Sequence, residues 1–240
     1  MSGGPTPAPL WHDEAVAALV HELRTPVTTI RALSELILDA PDMDTDEQRG
    51  FLSIIAAESR RLGRLVDDIL DAARLGSDEA EIAREDLDPA ALVNEAARIA
   101  SAVMAEKGAQ LAVDLPPAAP MVRGDRDRLL QVLLNLLSNA AKMVPDQGGR
   151  IVVSLQAAPD ALTIRVADNG PGLAPEEREA VFQPFRRLGA AGARPPGTGL
   201  GLPISRRIVE RHGGTLSAEP SEGGACFAIR LPLAPEEEAG

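Results

Sequence analysis

The sequence has no tyrosine, one tryptophan, one cysteine and three histidines in 240 residues. A single cysteine, Cys226, rules out a disulfide within the chain and makes a reducing compartment the natural setting. No apolar run approaches the roughly 20 residues that cross a bilayer. Positive charge is also scarce. The net charge of −12 and a pI near 4.8 argue against nucleic acid or an anionic membrane surface as the main partner. The start, "MSGGPTPAPL", lacks a basic segment followed by an apolar one, so it reads as a flexible leader over 1–11 rather than a signal peptide. The expectation is a cytoplasmic protein, or the cytosolic part of a larger or membrane-associated one.

What is present is ordinary globular material, 45% hydrophobic and 25% charged. Apolar residues recur at helical spacing over 12–40, at Ala15, Leu19, Leu23, Ile30, Leu33 and Ile37. A break, "APDMDTDEQ", offers Thr45 as a helix N-cap. Periodicity resumes to about residue 75 through Phe51, Ile54, Ile55, Leu62, Leu65, Val66, Ile69 and Leu70. Two such helices make an antiparallel hairpin over 12–76 that buries too little alone, and dimerisation into a four-helix bundle is the simplest remedy. Residues 77–86 read as a polar linker. A second domain over 87–234 alternates helices (88–107, 125–142, 201–212) with strands (109–115, 150–157, 160–167, 214–219, 225–232). That order predicts an α+β fold, an antiparallel-rich sheet with helices on one face. Residues 235–240 read as a disordered acidic tail.

Chemistry concentrates in a few places. "ALVHELRTPVTTIRAL" places His21 beside Glu22 on a helix, with Thr25 one turn on and Pro26 after it. "DRLLQVLLNLLSNAAKMV" is strongly apolar, yet Gln131, Asn135, Asn139 and Lys142 fall along one face. Amide oxygens are hard ligands suited to Mg²⁺, and a lysine suits phosphate oxygens. "VADNGPGL" closes a strand with Asp168 and a Gly-Pro-Gly turn. "RPPGTGLGLPISRRIV" places Gly197, Gly199 and Gly201 before a helix, where amides and the helix N-terminus favour phosphate. The spacing is not that of a dinucleotide-binding βαβ unit.

Together these segments resemble the catalytic core of a sensor histidine kinase over about 12–233. "HELRTP" is similar to that family's H-box, "NLLSNAAK" to its N-box, "DNGPGL" and "GTGLGL" to its glycine boxes, and "FQPFRR" to its F-box. The resemblance implies a dimeric phosphotransfer hairpin followed by an α/β-sandwich ATP-binding domain of the Bergerat type. It implies His21 as phosphoacceptor, Glu22 as general base or ring-orienting group, and Thr25 as the holder of a dephosphorylating water. It also implies Asn135 and Asn139 at Mg²⁺, Lys142 on phosphate, Asp168 on the adenine amino group, and Gly170 and Gly172 shaping that pocket. Gly197, Thr198, Gly199, Leu200 and Gly201 would wrap the phosphates of ATP, and Arg187 would stabilise the transferring phosphoryl group. Phe182 and Phe185 would anchor a short, mobile lid, "LGAAGARPP". The implied partners are a second copy, the receiver domain of a response regulator, and a sensor domain upstream of this chain.

Two departures stand out. Met143 sits where many relatives carry an aromatic over the nucleotide, and Cys226 where Ser or Thr is usual. The nearest rival class is the ATPases of chaperones and DNA gyrase, which resemble this helix but carry a water-activating Glu four residues before the Asn. Here that position is Asn135, which disfavours hydrolysis. A phosphotransfer or phosphatase-dominant protein of the same fold is the alternative.

Overall fold

A computed structural model describes residues 13–76, 84–186 and 198–234. The expected leader, the acidic tail, most of the linker, the "LGAAGARPP" lid, Arg187 and Gly197 lie outside them. Two compact units divide the chain, Met1–Asp78 and Glu79–Gly240.

The first unit is a hairpin of α1 (Asp13–Asp39) and α2 (Thr45–Gly76). At 1.5 Å per residue they run about 40 and 48 Å. Asp44, not Thr45, caps α2. Its carboxylate accepts from the amides of Asp46 (3.0 Å) and Glu47 (3.4 Å), and its carbonyl accepts the first helical bond from Gln48. Leu65 and Ala72 are buried in the seam, and Ile30, Leu33, Ile55, Leu62 and Ile69 are half-buried. Val20, Val27, Leu36, Leu52, Val66 and Leu70 stay exposed, so the apolar stripe is wider than one hairpin can cover.

The second unit runs β1 (Glu85–Leu87), α3 (Pro89–Glu106), β2 (Gln110–Asp114), β3 (Val122–Gly124), α4 (Arg126–Met143), β4 (Arg150–Ala157), β5 (Ala161–Asp168), α5 (Glu177–Ala180), α6 (Gly201–Arg211), β6 (Thr215–Glu219) and β7 (Cys226–Pro232). The main sheet has the order β2-β4-β5-β7-β6, antiparallel except for the parallel β2–β4 pair. It is therefore mixed. β1 and β3 form a separate antiparallel pair, extended by a bridge from Val122 to Leu233. Three-residue strands show no periodicity, and β1 begins inside the polar stretch 77–86.

Helix starts follow from local chemistry. Asp88 caps α3 by accepting from Ala90, with Pro89 at the first turn, and Asp125 caps α4 by accepting from Arg128. Helices α3, α4 and α6 pack on the sheet. The rows Ile151, Val153, Leu155; Leu162, Ile164, Val166; and Phe227, Ile229, Leu231 are buried and in register. The opposite face is polar, with Arg165 joined to Glu219 and Gln156.

His212, just past α6, is 3% exposed. Its Nε2 accepts from the Asp125 amide at 2.9 Å and its Nδ1 lies 2.7 Å from the Ile208 carbonyl, so the Nδ1–H tautomer satisfies both. This ring ties the start of α4 to the end of α6. Burial lowers its pKa from the usual 6.5. The neutral form is thus favoured by folding, and its contribution is complete above about pH 6.5. Below that, the unfolded chain takes up a proton that the folded one resists, and stability falls. We expect His212→Gln to lose about 1–3 kcal/mol at pH 7.5 and to flatten the decline in Tm between pH 7 and 5.5. An unchanged slope would exclude His212 as its source.

Candidate functional site

The hairpin carries one half of the chemistry. His21 is exposed on α1, and Glu22 is half-buried. Neighbours on a helix diverge by about 100°, so the imidazole meets solvent while Glu22 turns to α2. There Arg61 Nη2 donates to Glu22 Oε2 at 2.8 Å, and Arg61 Nη1 lies 3.6 Å from Glu58 Oε2. The carboxylate next to His21 therefore has a guanidinium partner. Nothing local in the sequence pairs residues 22 and 61; only the hairpin does. Thr25 Oγ1 donates to the His21 carbonyl at 3.2 Å, a bond one turn back along the helix. Pro26 is buried and has no N–H to offer the Glu22 carbonyl, yet α1 continues through it to Asp39.

The second unit carries the other half. Alternation along β5 runs Leu162, Ile164, Val166, Asp168, so the aspartate occupies the next core-facing position, opposite Ile151. It is 8% exposed. Its Oδ1 accepts from the amides of Gly170 (2.8 Å) and Ala225 (3.3 Å). Burial pushes the carboxyl up from the ordinary carboxylate value, and the two amides oppose that. No described group donates to Oδ2, which leaves an acceptor for a ligand amino group. Gly172 adopts φ +76°, and a Cβ there would lie 2.8 Å from the Gly224 carbonyl oxygen. A Cβ on Gly224 would in turn collide with the Asp168 carbonyl. The turn before β7 is thus part of this pocket, and sequence reasoning missed it.

The polar face of α4 meets the start of α6. Asn135 Nδ2 donates to Ser205 Oγ at 2.8 Å, and Ser205 is 2% exposed. Gly201 lies so close to the Asn135 amide that a Cβ would overlap its Oδ1. With Nδ2 committed to Ser205, the amide oxygen is the atom available to a ligand. Asn139 is half-buried one turn on, and Lys142 is exposed in the last turn. Gln131, the first residue of that face, accepts instead from Arg128 Nη1. Thr198 Oγ1 accepts from the Leu200 amide at 3.2 Å. The Gly199 carbonyl accepts from the Phe185 amide at 3.0 Å, with Gly199 at φ +74° and Phe185 at φ +60°. A phenylalanine with positive φ is uncommon and held by its surroundings. Its neighbour has to be glycine, because a Cβ there would lie 2.9 Å from the Phe185 backbone.

Comparison with known proteins decides the family. A family model described as "His Kinase A (phospho-acceptor) domain" matches residues 12–78, and one described as "Histidine kinase-, DNA gyrase B-, and HSP90-like ATPase" matches 124–235. A solved mycobacterial sensor histidine kinase, MprB, is 33% identical, with a TM-score of 0.54 over 64% of this chain and 99% of its own. The chain belongs to the sensor histidine kinases.

Among curated relatives of this kinase core, the probable sensor histidine kinase TcrY of Mycobacterium tuberculosis is 38% identical over 91% of this chain. The match takes in 45% of TcrY, and the chain spans about half or less of the length of the curated relatives it matches. Histidine kinase ThkA, solved in complex with the response regulator TrrA, is 26% identical with a TM-score of 0.74, over 94% of this chain and 63% of its own.

Magnesium fits the donor set on α4. It favours hard oxygen ligands and takes most of them from water and substrate phosphate, so the amide oxygens of Asn135 and Asn139 would be chemically suitable donors. Among the described residues no cluster of three His, Cys, Asp or Glu side chains offers a rival site.

Gly201→Ala separates site from scaffold. Helix propensity alone favours alanine by about 1 kcal/mol, whereas the contact with Asn135 demands that the amide move. The lost Asn135–Ser205 bond offsets that gain, so we expect Tm to change little while the Kd for Mg-ATP, measured by calorimetry, rises about 10- to 100-fold, as for a lost charge-assisted hydrogen bond. Unchanged affinity would show that Asn135 does not meet the nucleotide.

Proposed function

We propose that this kinase core binds Mg-ATP on the second unit and transfers the γ-phosphoryl group to His21, then to an aspartate of a response-regulator receiver domain. The observation that carries this reading is at position 135. The chaperone and DNA gyrase ATPases that this helix resembles would carry a water-activating Glu there, whereas this chain has an amide held by Ser205. An amide has no basic function at neutral pH, and the exposed imidazole of His21 is a nucleophile instead.

In the transfer, one imidazole nitrogen forms a bond to the γ-phosphorus as the bond to the β,γ-bridging oxygen breaks, and ADP leaves with that electron pair. The other ring nitrogen then loses its proton. Glu22 is the adjacent carboxylate, and taking that proton requires it to exchange Arg61 for the imidazole. Asp168 would accept from the adenine amino group through Oδ2, within a pocket shaped by Gly170 and Gly172. Gly197, Thr198, Gly199, Leu200 and Gly201 would bring amides to the phosphates at the start of α6. Asn135 and Asn139 would hold Mg²⁺, which supplies charge neutralisation along the phosphates when bound. Lys142 and Arg187 are proposed as cationic contacts to the phosphates and the transferring group.

The exposed apolar residues of both hairpin helices support dimerisation into a four-helix bundle. The complex of ThkA with TrrA supports a receiver domain as acceptor. No described helix is long and apolar enough to cross a membrane. From the kinship with sensor histidine kinases we propose that the core works in the cytoplasm, downstream of a sensor domain.

We also propose phosphatase activity through Thr25, the residue that the H-box resemblance gives a dephosphorylating water. Thr25 donates its hydroxyl proton to the His21 carbonyl, as Thr29 and Ser34 do to carbonyls one turn back, which leaves its lone pairs to accept from a water. The two roles predict separable activities. His21→Gln should abolish acid-labile protein labelling from γ-labelled ATP while leaving nucleotide affinity within about two-fold. Thr25→Ala should retain labelling and lose at least about ten-fold in dephosphorylation of the regulator. Label retained on His21→Gln, or parallel loss of both activities in Thr25→Ala, would contradict these roles.

A further inference from the structure

The start of α6 is held against α4 by Ser205, but the next residue, Arg206, points to other partners. Its guanidinium carbon stands 4.7 Å from the centroid of the Phe182 ring. Its Nη1 donates to Glu179 Oε1 at 2.5 Å, and its Nε lies 3.5 Å from Glu210 Oε1. Phe182 is buried and meets Phe227 of β7 edge-on, with centroids 6.2 Å apart. Three residues beyond Phe182, the backbone of Phe185 pairs with Gly199, two residues before α6 begins. One arginine thus joins α5 and the F-box to the helix whose first turn abuts Asn135.

The contributions of its contacts are unequal. Glu179 is largely exposed, and a solvated ion pair contributes little net stability. A cation over a buried aromatic face is desolvated on one side and is the stronger contact. The two contacts also differ in what they need. Any cation can sit over the ring, but only a planar fork can reach Glu179 and Glu210 from the same place.

Resting on the ATP-binding role given above, we propose that Arg206 is a positioning residue for the nucleotide. It clamps Phe182, and through Phe185 it sets the backbone pair Phe185–Gly199. That pair holds Gly199, Leu200 and Gly201 in the arrangement that presents amides beside Asn135. Arg206 itself touches no nucleotide. Without it, the segment from Glu179 to Phe182 loses its contacts with α6, and the Phe185–Gly199 pair three residues on loosens. The Asn135–Ser205 bond and the strand pairing of the sheet use neither Arg206 nor Phe182, so binding suffers before the phosphoryl step does.

The test compares the wild-type chain with Arg206→Ala, Arg206→Lys and Phe182→Leu. It measures AMPPNP affinity with Mg²⁺ by calorimetry, KM and kcat for histidine phosphorylation, and Tm without nucleotide. For Arg206→Ala we expect affinity to weaken and KM to rise on the order of ten-fold, about 1.4 kcal/mol, with kcat within about two-fold. Arg206→Lys keeps a cation over the ring and should recover most of the loss, to within about three-fold of wild type. Phe182→Leu should match Arg206→Ala in KM although Glu179 and Glu210 remain in place. A fall in kcat or Tm with KM and affinity unchanged would reduce Arg206 to a structural residue and overturn the proposal. So would an unfolded Arg206→Ala variant combined with wild-type KM in the other two. Failure of the wild-type chain to bind AMPPNP would instead remove the ATP-binding reading itself.

Discussion

The contact between α4 and α6 at Asn135 is the constraint on which the rest of the site depends. Gly201 comes close enough to exclude a Cβ, and Ser205 takes the amide N–H₂. Together they turn one polar side chain on an apolar helix into an oriented acceptor. An unsatisfied buried amide costs about 1–3 kcal/mol, so the helix has to supply a partner or lose stability. Ser205 supplies it on one side only, and the other side is left for chemistry. Asp168 follows the same logic on β5. It occupies a core position, its Oδ1 is satisfied by two backbone amides, and its second oxygen has no described partner. Both side chains are held by partners on one side only, which is the arrangement the proposed nucleotide site needs.

The hairpin works by the opposite principle. His21 is exposed, and its environment is set by what has been drawn away from it. Glu22 is bound to Arg61, and Thr25 spends its proton on the His21 carbonyl. In the proposed reaction this exposed imidazole would meet an ATP-bearing domain and then a receiver domain. The two candidate sites thus differ physically: Asn135 and Asp168 are held by partners within the second unit, whereas His21 is exposed on a helix surface.

Much of this was legible in the sequence where periodicity and chemistry coincide. Alternation through Leu162, Ile164 and Val166 runs directly into Asp168, so an aspartate in a core-facing position can be read without coordinates. The aspartate–proline step at 88–89 and Asp125 mark helix starts for the same reason, since caps are local. Other features were not legible. Arg61 and Glu22 meet only because two long helices align. Ser205 looks like a neutral helix residue until α4 lies against it. The β1–β3 pair is too short for a pattern, and the parallel β2–β4 pairing is the one exception in a sheet that is otherwise antiparallel, as expected. Asp44 rather than Thr45 caps α2 because its carboxylate reaches two amides. In each case a tertiary contact or a choice between adjacent polar residues decides the outcome.

The central claim is that the phosphoryl group leaves ATP for an imidazole rather than for water. Phosphorus NMR of the wild-type protein mixed with Mg-ATP follows both fates at once. The account predicts a protein-bound phosphoramidate resonance that grows with ADP and precedes inorganic phosphate. Inorganic phosphate appearing from the outset, with no phosphoramidate on the protein, would contradict it.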